Sequence, residues 1–246
     1  MARARGESMV VIERTVRGVV VDLDDTLYPQ RSFLAGAVDA AAARAQDLGF
    51  DRVTFANVFT SVLESGSDTG HTIDLTLARL GCSTSDVDVV LESLVASFSN
   101  YRPRSLRCYD GVISSLDDLS HRTKVSCLTD GNPDLQRAKM NALGIARYFD
   151  SVVITDELGG RPCRKPNPVG LEAVARTLGL EMGELVVIGD RVDKDVALAH
   201  RVGVPVVRVR QGEYRDVASP PGVATVDDFP SAVELVISEF LAERDA

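Results

Sequence analysis

The stretch VVVDLDDTLY, residues 19–28, runs three valines into three aspartates that fall within the next four positions. A short valine run of this kind, extended back to Arg17, reads as a strand buried on both faces of a parallel sheet, where β-branched side chains pack without polar alternation. The charge then stands at the strand's carboxyl end. The same pattern returns at TKVSCLTD (123–130), SVVIT (151–155), ELVVIGD (184–190) and VPVVRV (204–209). Helical patterns fill 111–122, 133–144, 168–179 and 194–203, and Gly144, Gly179 and Gly203 stand where a left-handed cap suits glycine. Strands alternating with helices predict right-handed βαβ crossovers and a parallel sheet.

The first two strands lie about a hundred residues apart, far more than one crossover needs. Residues 34–99 hold no valine-run strand but four helical stretches: LAGAVDAAAARAQDLG, VTFANVFTSVLES, TIDLTLARLG and SDVDVVLESLVASF. The expected architecture is therefore α/β, with a sheet core from residues 1–30 and 106–246 and an inserted all-helical lobe at 31–105. Linkers are expected near Pro29–Ser32 and Asn100–Arg107.

Composition narrows the class. Of 246 residues 45% are hydrophobic and 26% charged, which predicts a soluble globular protein. A net charge of -9 argues against a nucleic-acid partner, since affinity for the phosphate backbone rests on basic patches. No apolar run approaches the ~18 residues that cross a bilayer, and MARARGESMV lacks the apolar segment of a signal peptide. A cytoplasmic protein without a membrane partner is expected. Arg3 and Arg5 fall in a tail ahead of Met9, a second possible start. Cys82, Cys108, Cys127 and Cys163 show no CxxC spacing and read as reduced packing residues.

Ligands of an open parallel sheet bind at the carboxyl edge of the strands. Standing there are Asp22 and Asp24 after the first strand, Thr129 and Asp130 after the second, and Asp190 after the fourth. Converging carboxylates repel one another unless a cation sits among them, and oxygen ligands without His or Cys suit a hard ion such as Mg²⁺. Lys165 in RKPNP adds a positive charge, while Thr129 and the backbone amides of Asp130 and Gly131 in TDGN offer donors to a phosphate oxygen. A phosphoryl group is the natural guest, with an aspartate as nucleophile.

These four segments, VVVDLDDTLY, the Thr129 of SCLTDGN, Lys165 of RKPNP and VVIGDRVDKD, resemble the four ordered motifs of the haloacid dehalogenase (HAD) superfamily and span residues 17–195. The helical lobe resembles the family's C1 cap. The resemblance implies a Rossmann-like core under a closing cap, and a Mg²⁺-dependent phosphatase acting on a small phosphorylated metabolite through an aspartyl-phosphate. Carried over by position, Asp22 is the nucleophile and Asp24 the general acid and base. Thr129 and Lys165 hold the phosphoryl group, and Asp190 binds Mg²⁺ with Asp22 and the Asp24 main-chain carbonyl. Where many members have glycine after the second aspartate, this chain has Asp25. The second acid of GDRVDKD is Asp193 or Asp195; family spacing and a place in a helix's first turn favour Asp195.

His71, at a loop-to-helix junction of the lobe, is a candidate to touch substrate, set against a plain surface role. Arg102, Arg104 and Arg107 could bind a second anionic group or simply be solvated. A phosphomutase would keep every motif, and a hydrolytic dehalogenase would lack an acid at the Asp24 position. A non-catalytic binding module is expected to have lost Asp22 or Asp24.

Overall fold

The computed structural model describes residues 16–66, 70–82 and 87–241. Arg3, Arg5 and Met9 lie outside the described residues, as do Ser67, Asp68 and Thr69 just before His71. Six parallel strands form one sheet: β1 (Gly18–Val21), β2 (Lys124–Thr129), β3 (Ser151–Ile154), β4 (Leu185–Gly189), β5 (Val206–Val209) and β6 (Ala224–Val226). Their order is β3-β2-β1-β4-β5-β6, a Rossmann-like arrangement in which the chain builds outward from β1 on one side and then on the other. Crossovers diverge at that switch, and a crevice opens beyond the carboxyl ends of β1 and β4. Val21 is in register with Cys127 of β2 and Ile188 of β4, and the Asp22 N–H continues the ladder to Ile188 O at 3.0 Å. The next residues out on these strands are those that carry the charge.

Four helices pack on the sheet between its strands: α5 (Val112–Arg122), α6 (Pro133–Leu143), α7 (Val169–Leu178) and α8 (Ala197–Val202). The start of α6 is set locally. Asn132 accepts the N–H groups of Asp134 and Leu135, Pro133 occupies the first turn, and Gly144 ends the helix at φ 68°. Two elements of the core went unread in the sequence. The strand β6 has only three, partly exposed residues, too few to show a period. The closing helix α9 (Phe229–Glu239), capped by Asp228, buries Phe229, Ala232, Val233 and Val236.

The insertion between β1 and β2 consists of α1 (Gln30–Asp47), α2 (Arg52–Glu64), α3 (Thr72–Arg79) and α4 (Val87–Ser99). Its first helix starts at Gln30, so the stretch around Pro29–Ser32 expected as a linker is already a helix's first turn. The start of α1 packs on the core through Phe33 and, a turn later, Ala37, whereas Val38, Ala41, Ala42 and Ala45 join Phe55, Phe59, Leu77 and Leu94 inside the lobe. Small side chains let α1 approach α2 and α4 closely. At Gly36 a Cβ would lie 2.1 Å from the Tyr101 hydroxyl, so the returning chain is seated directly on α1. No helix of the described residues is long and apolar enough to cross a membrane.

Candidate active site

The end of β1 supplies Asp22 and the end of β4 supplies Asp190. Asp195 arrives from a wide, π-helical turn at Val192–Val196 that leads into α8. It folds back over Gly189, where a Cβ would fall 2.3 Å from the Asp195 carboxyl carbon, so only glycine admits this approach. The three buried aspartates offer one carboxylate oxygen each within 4.8 Å of one another. Asp193, in contrast, is exposed and pairs with Arg191. Lys165, on the loop before α7, places its buried Nζ 2.5 Å from Asp22 Oδ1, 2.7 Å from Asp195 Oδ1 and 3.2 Å from Leu128 O.

Asp130 lines the cavity beside that lysine and braces its loop. Its Oδ1 accepts the Lys165 N–H at 3.0 Å and the Thr155 hydroxyl at 2.9 Å, and its Oδ2 lies 3.2 Å from Lys194 Nζ. Thr129, buried at the end of β2, lines the same cavity, as do Asp24, Asp25, Arg164, Arg191, Lys194 and Tyr214. Arg191 stacks its guanidinium over Tyr214, 4.2 Å from the ring centroid. The Tyr214 loop is tied to the sheet by the buried Arg208, which donates to the carbonyls of Asp190, Tyr214 and Val217.

Burial pushes the Asp22 carboxyl up to about 7; the Lys165 ammonium opposes the shift, and Asp195 and Asp24 add to it. Asp190 is pushed well above the carboxylate range by burial and then by Asp195, Asp22 and Asp25. Burial would lower Lys165, but Asp195, Asp22 and Asp130 hold it firmly protonated. Three carboxylates thus face one ammonium and lack positive charge, and their donors are all oxygens. This set fits a hard divalent cation such as Mg²⁺.

A carboxyl raised in the folded state favours folding below its ordinary range, and that contribution is lost as pH rises through its folded value. Metal-free protein is therefore expected to lose stability as pH climbs from about 4 through about 7. A cation held by the three aspartates would reverse the loss by binding the ionised form. The gain in melting temperature on adding Mg²⁺ should grow between about pH 5 and pH 8, as measured by paired thermal melts with metal and with chelator. A gain that shrinks over this range contradicts the site.

Asp24 turns its carboxylate onto groups that the sequence reading did not single out. Tyr28 donates to Oδ1, Gln136 Nε2 donates to Oδ2 at 2.9 Å, and the Lys139 ammonium reaches both oxygens at 2.7 and 2.9 Å. Burial alone would raise this carboxyl; Lys139, Tyr28 and Gln136 more than offset it and hold Asp24 below its ordinary value. Gln136 and Lys139 lie three apart on α6, on its buried face. No local sequence pattern marks this pair as inward-facing, since polar helix residues are mostly exposed.

Asp25 takes the left-handed conformation at φ 56°, the position at which many family members carry glycine. Its carboxylate accepts the N–H of Gln30 at 2.9 Å and of Glu213 at 3.0 Å, tying α1 and the loop after β5 to the turn. Gly212 has to be glycine beside it, since a Cβ there would lie 2.0 Å from the Asp25 carboxyl carbon. The Gly131 N–H donates to Asp156. His71 is exposed, stands 3.8 Å from Asp74 and lines none of the cavities around Asp25. Arg102 and Arg107 are likewise exposed, bonded to their own neighbours Ser99 and Asp110.

Sheet order, inserted lobe and buried acidic cluster together define a class of hydrolase, and sequence comparison agrees. The profile of the haloacid dehalogenase-like hydrolases matches residues 16–203, and the chain belongs to that family. Its curated relatives include a glyceraldehyde 3-phosphate phosphatase of Methanopyrus kandleri, 34% identical over 87% of this chain and 92% of that protein. A phosphoglycolate phosphatase of Rhodospirillum rubrum is 30% identical over 87% and 88%. Solved structures of the same fold include HAD-hydrolase YfnB from Bacillus subtilis, with TM-score 0.67 and 13% identity over 90% of this chain and 99% of that one. The HAD phosphatase from Thermococcus onnurineus has TM-score 0.64 and 20% identity over 92% and 100%.

Proposed function

We propose that this phosphatase hydrolyses a small phosphomonoester whose leaving group carries no charge, such as glyceraldehyde 3-phosphate. The reaction passes through an aspartyl-phosphate on Asp22. The observation that carries the reading is the cluster of Asp22, Asp190 and Asp195 around Lys165 at the carboxyl ends of β1 and β4. Asp22, Asp190, Asp195 and the Asp24 main-chain carbonyl would hold Mg²⁺. When bound there, the ion would supply electrostatic stabilisation of the charge on the transferring phosphoryl group.

Each remaining step belongs to the chain's own residues. Asp22 attacks phosphorus; Lys165 and Thr129 bind the phosphoryl oxygens; Asp24 gives a proton to the leaving oxygen and later takes one from the attacking water. The helices α1–α4 act as the cap that excludes bulk water and reads the rest of the substrate.

The rim supports the choice of leaving group. Lining the cavity are four cations, Arg164, Lys165, Arg191 and Lys194, and each already lies within 3.2 Å of a carboxylate, of Asp156, Asp22, Asp193 and Asp130 respectively. Phosphoglycolate carries its carboxylate one methylene from the ester oxygen, so that charge would lie inside this cavity and compete with carboxylates already in place. A polyol or aldehyde meets no such competition.

A phosphate-release panel with Mg²⁺ and with chelator tests the reading. Glyceraldehyde 3-phosphate and similar neutral esters should exceed phosphoglycolate by about tenfold or more in kcat/KM, the scale of one unfavourable polar contact. Phosphoglycolate ranking first overturns the leaving-group assignment, and release undiminished by chelator overturns the metal site.

A further inference from the structure

Lys139 is a buried ammonium that the reaction as described does not use. It projects from α6, three residues after Gln136, and makes its ion pair with Asp24 alone among the described carboxylates. The same ammonium lies over the ring of Phe33, from the first turn of α1, 4.6 Å from its centroid. Lysine is rarely buried unless paired, because its charge is costly to remove from water. Here the partner is the residue that has to present an oxygen to the leaving group.

Three side chains hold the Asp24 carboxylate in a fixed pattern where it lines the cavity. Oδ1 takes Tyr28 and Lys139, and Oδ2 takes Lys139 and Gln136. Two donors on each oxygen define the carboxylate plane, which a single hydrogen bond does not. Gln136 also donates to the Thr129 hydroxyl, so the phosphoryl-binding side chain and the acid-base side chain share one anchor. A proton donor must lie within hydrogen-bond reach of the reacting oxygen, and a carboxylate free to rotate meets that geometry only part of the time.

From this geometry we propose that Lys139 is the positioning residue for Asp24, with Gln136 and Tyr28 completing the clamp. Lys139 touches no reacting atom and acts through Asp24. The inference rests on the acid-base role of Asp24 in the proposed phosphatase reaction.

The test is a double-mutant cycle of Lys139→Met and Asp24→Asn. With Asp24 present, Lys139→Met should lower kcat on an alkyl phosphate ester by about 10- to 100-fold and leave KM within about threefold, a loss of orientation rather than of binding. With Asn at position 24 the same substitution should cost less than about twofold, because nothing remains to be positioned. Equal losses in the two backgrounds overturn the proposal and make Lys139 a packing residue.

A readout independent of turnover uses chelated protein. Lys139→Met should lower the urea midpoint when Asp24 is present, and leave it unchanged or raise it in the Asp24→Asn background, where the ammonium is buried without its partner. A drop of the same size in both backgrounds also overturns the pairing. Should Lys139→Met not fold, Lys139→Gln carries the same cycle. Wild-type protein that releases phosphate from no ester would refute the catalytic reading itself, a result distinct from additive losses in an active enzyme.

Discussion

Asp22→Asn should lower kcat by about 10⁴-fold or more on every ester, because the amide is neither a nucleophile toward phosphorus nor an anionic ligand. Few single substitutions in the chain should cost as much, since the proposed mechanism gives Asp22 both tasks at once. Loss of folding is not expected to accompany it. Asparagine has nearly the shape of aspartate, and the carboxyl it replaces is one that burial pushes up to about 7. Above that pH the metal-free variant should melt no lower than wild type, since it no longer carries a buried charge short of partners. Phosphate release and thermal melts in chelator check the two halves together. Turnover within tenfold of wild type would remove Asp22 from the nucleophile's role.

Asp24→Asn should separate the two halves of the reaction. An activated aryl phosphate leaves as a stable anion and needs little proton donation, whereas water attacking the phosphorylated enzyme still needs a base. Loss of that help costs about 10²- to 10⁴-fold, so breakdown of the phosphoenzyme becomes limiting. Rapid mixing of the variant with an aryl phosphate should give a burst of leaving group close to one per enzyme, followed by slow turnover. With an alkyl ester, whose leaving oxygen needs the proton, the burst should disappear. A steady rate equal to wild type would mean that another group moves the protons.

The parts of the fold that were legible are those in which one physical cause dominates. A strand covered on both faces has to be apolar throughout, so Val19–Val21 and Leu185–Ile188 announced themselves, and with them the aspartates that follow. The inserted helices were legible for a related reason: no crossover needs that length of chain. Elements resting on context were not. The strand β6 pairs only at the sheet edge through three residues, and nothing in ATV distinguishes it from a loop. The first turn of α1 follows a proline and packs Phe33 on the core while the rest of the helix serves the lobe, so a sharp linker does not exist there.

The same division runs through the site. Asp22, Asp190 and Thr129 were visible because each closes an apolar strand run, although the fold buries all three. Gln136 and Lys139 were hidden, since polar residues in a helix ordinarily face water and only the tertiary fold turns this pair inward. Asp25 was ambiguous because its value lies in partners far along the chain, the backbone of Gln30 and Glu213. The choice between Asp193 and Asp195 depends on the wide turn at Val192–Val196, a geometry that no local sequence pattern prescribes.

The central claim is that the carboxylate of Asp22 becomes phosphorylated. Peptide mapping by mass spectrometry of Asp24→Asn protein, quenched in acid during the slow phase that follows the burst, tests it most directly. The account predicts one added phosphoryl group on the peptide that carries Asp22, removed by hydroxylamine as an acyl phosphate is. A phosphoryl group on Thr129 or any other residue, or a burst with no covalent adduct, would contradict it.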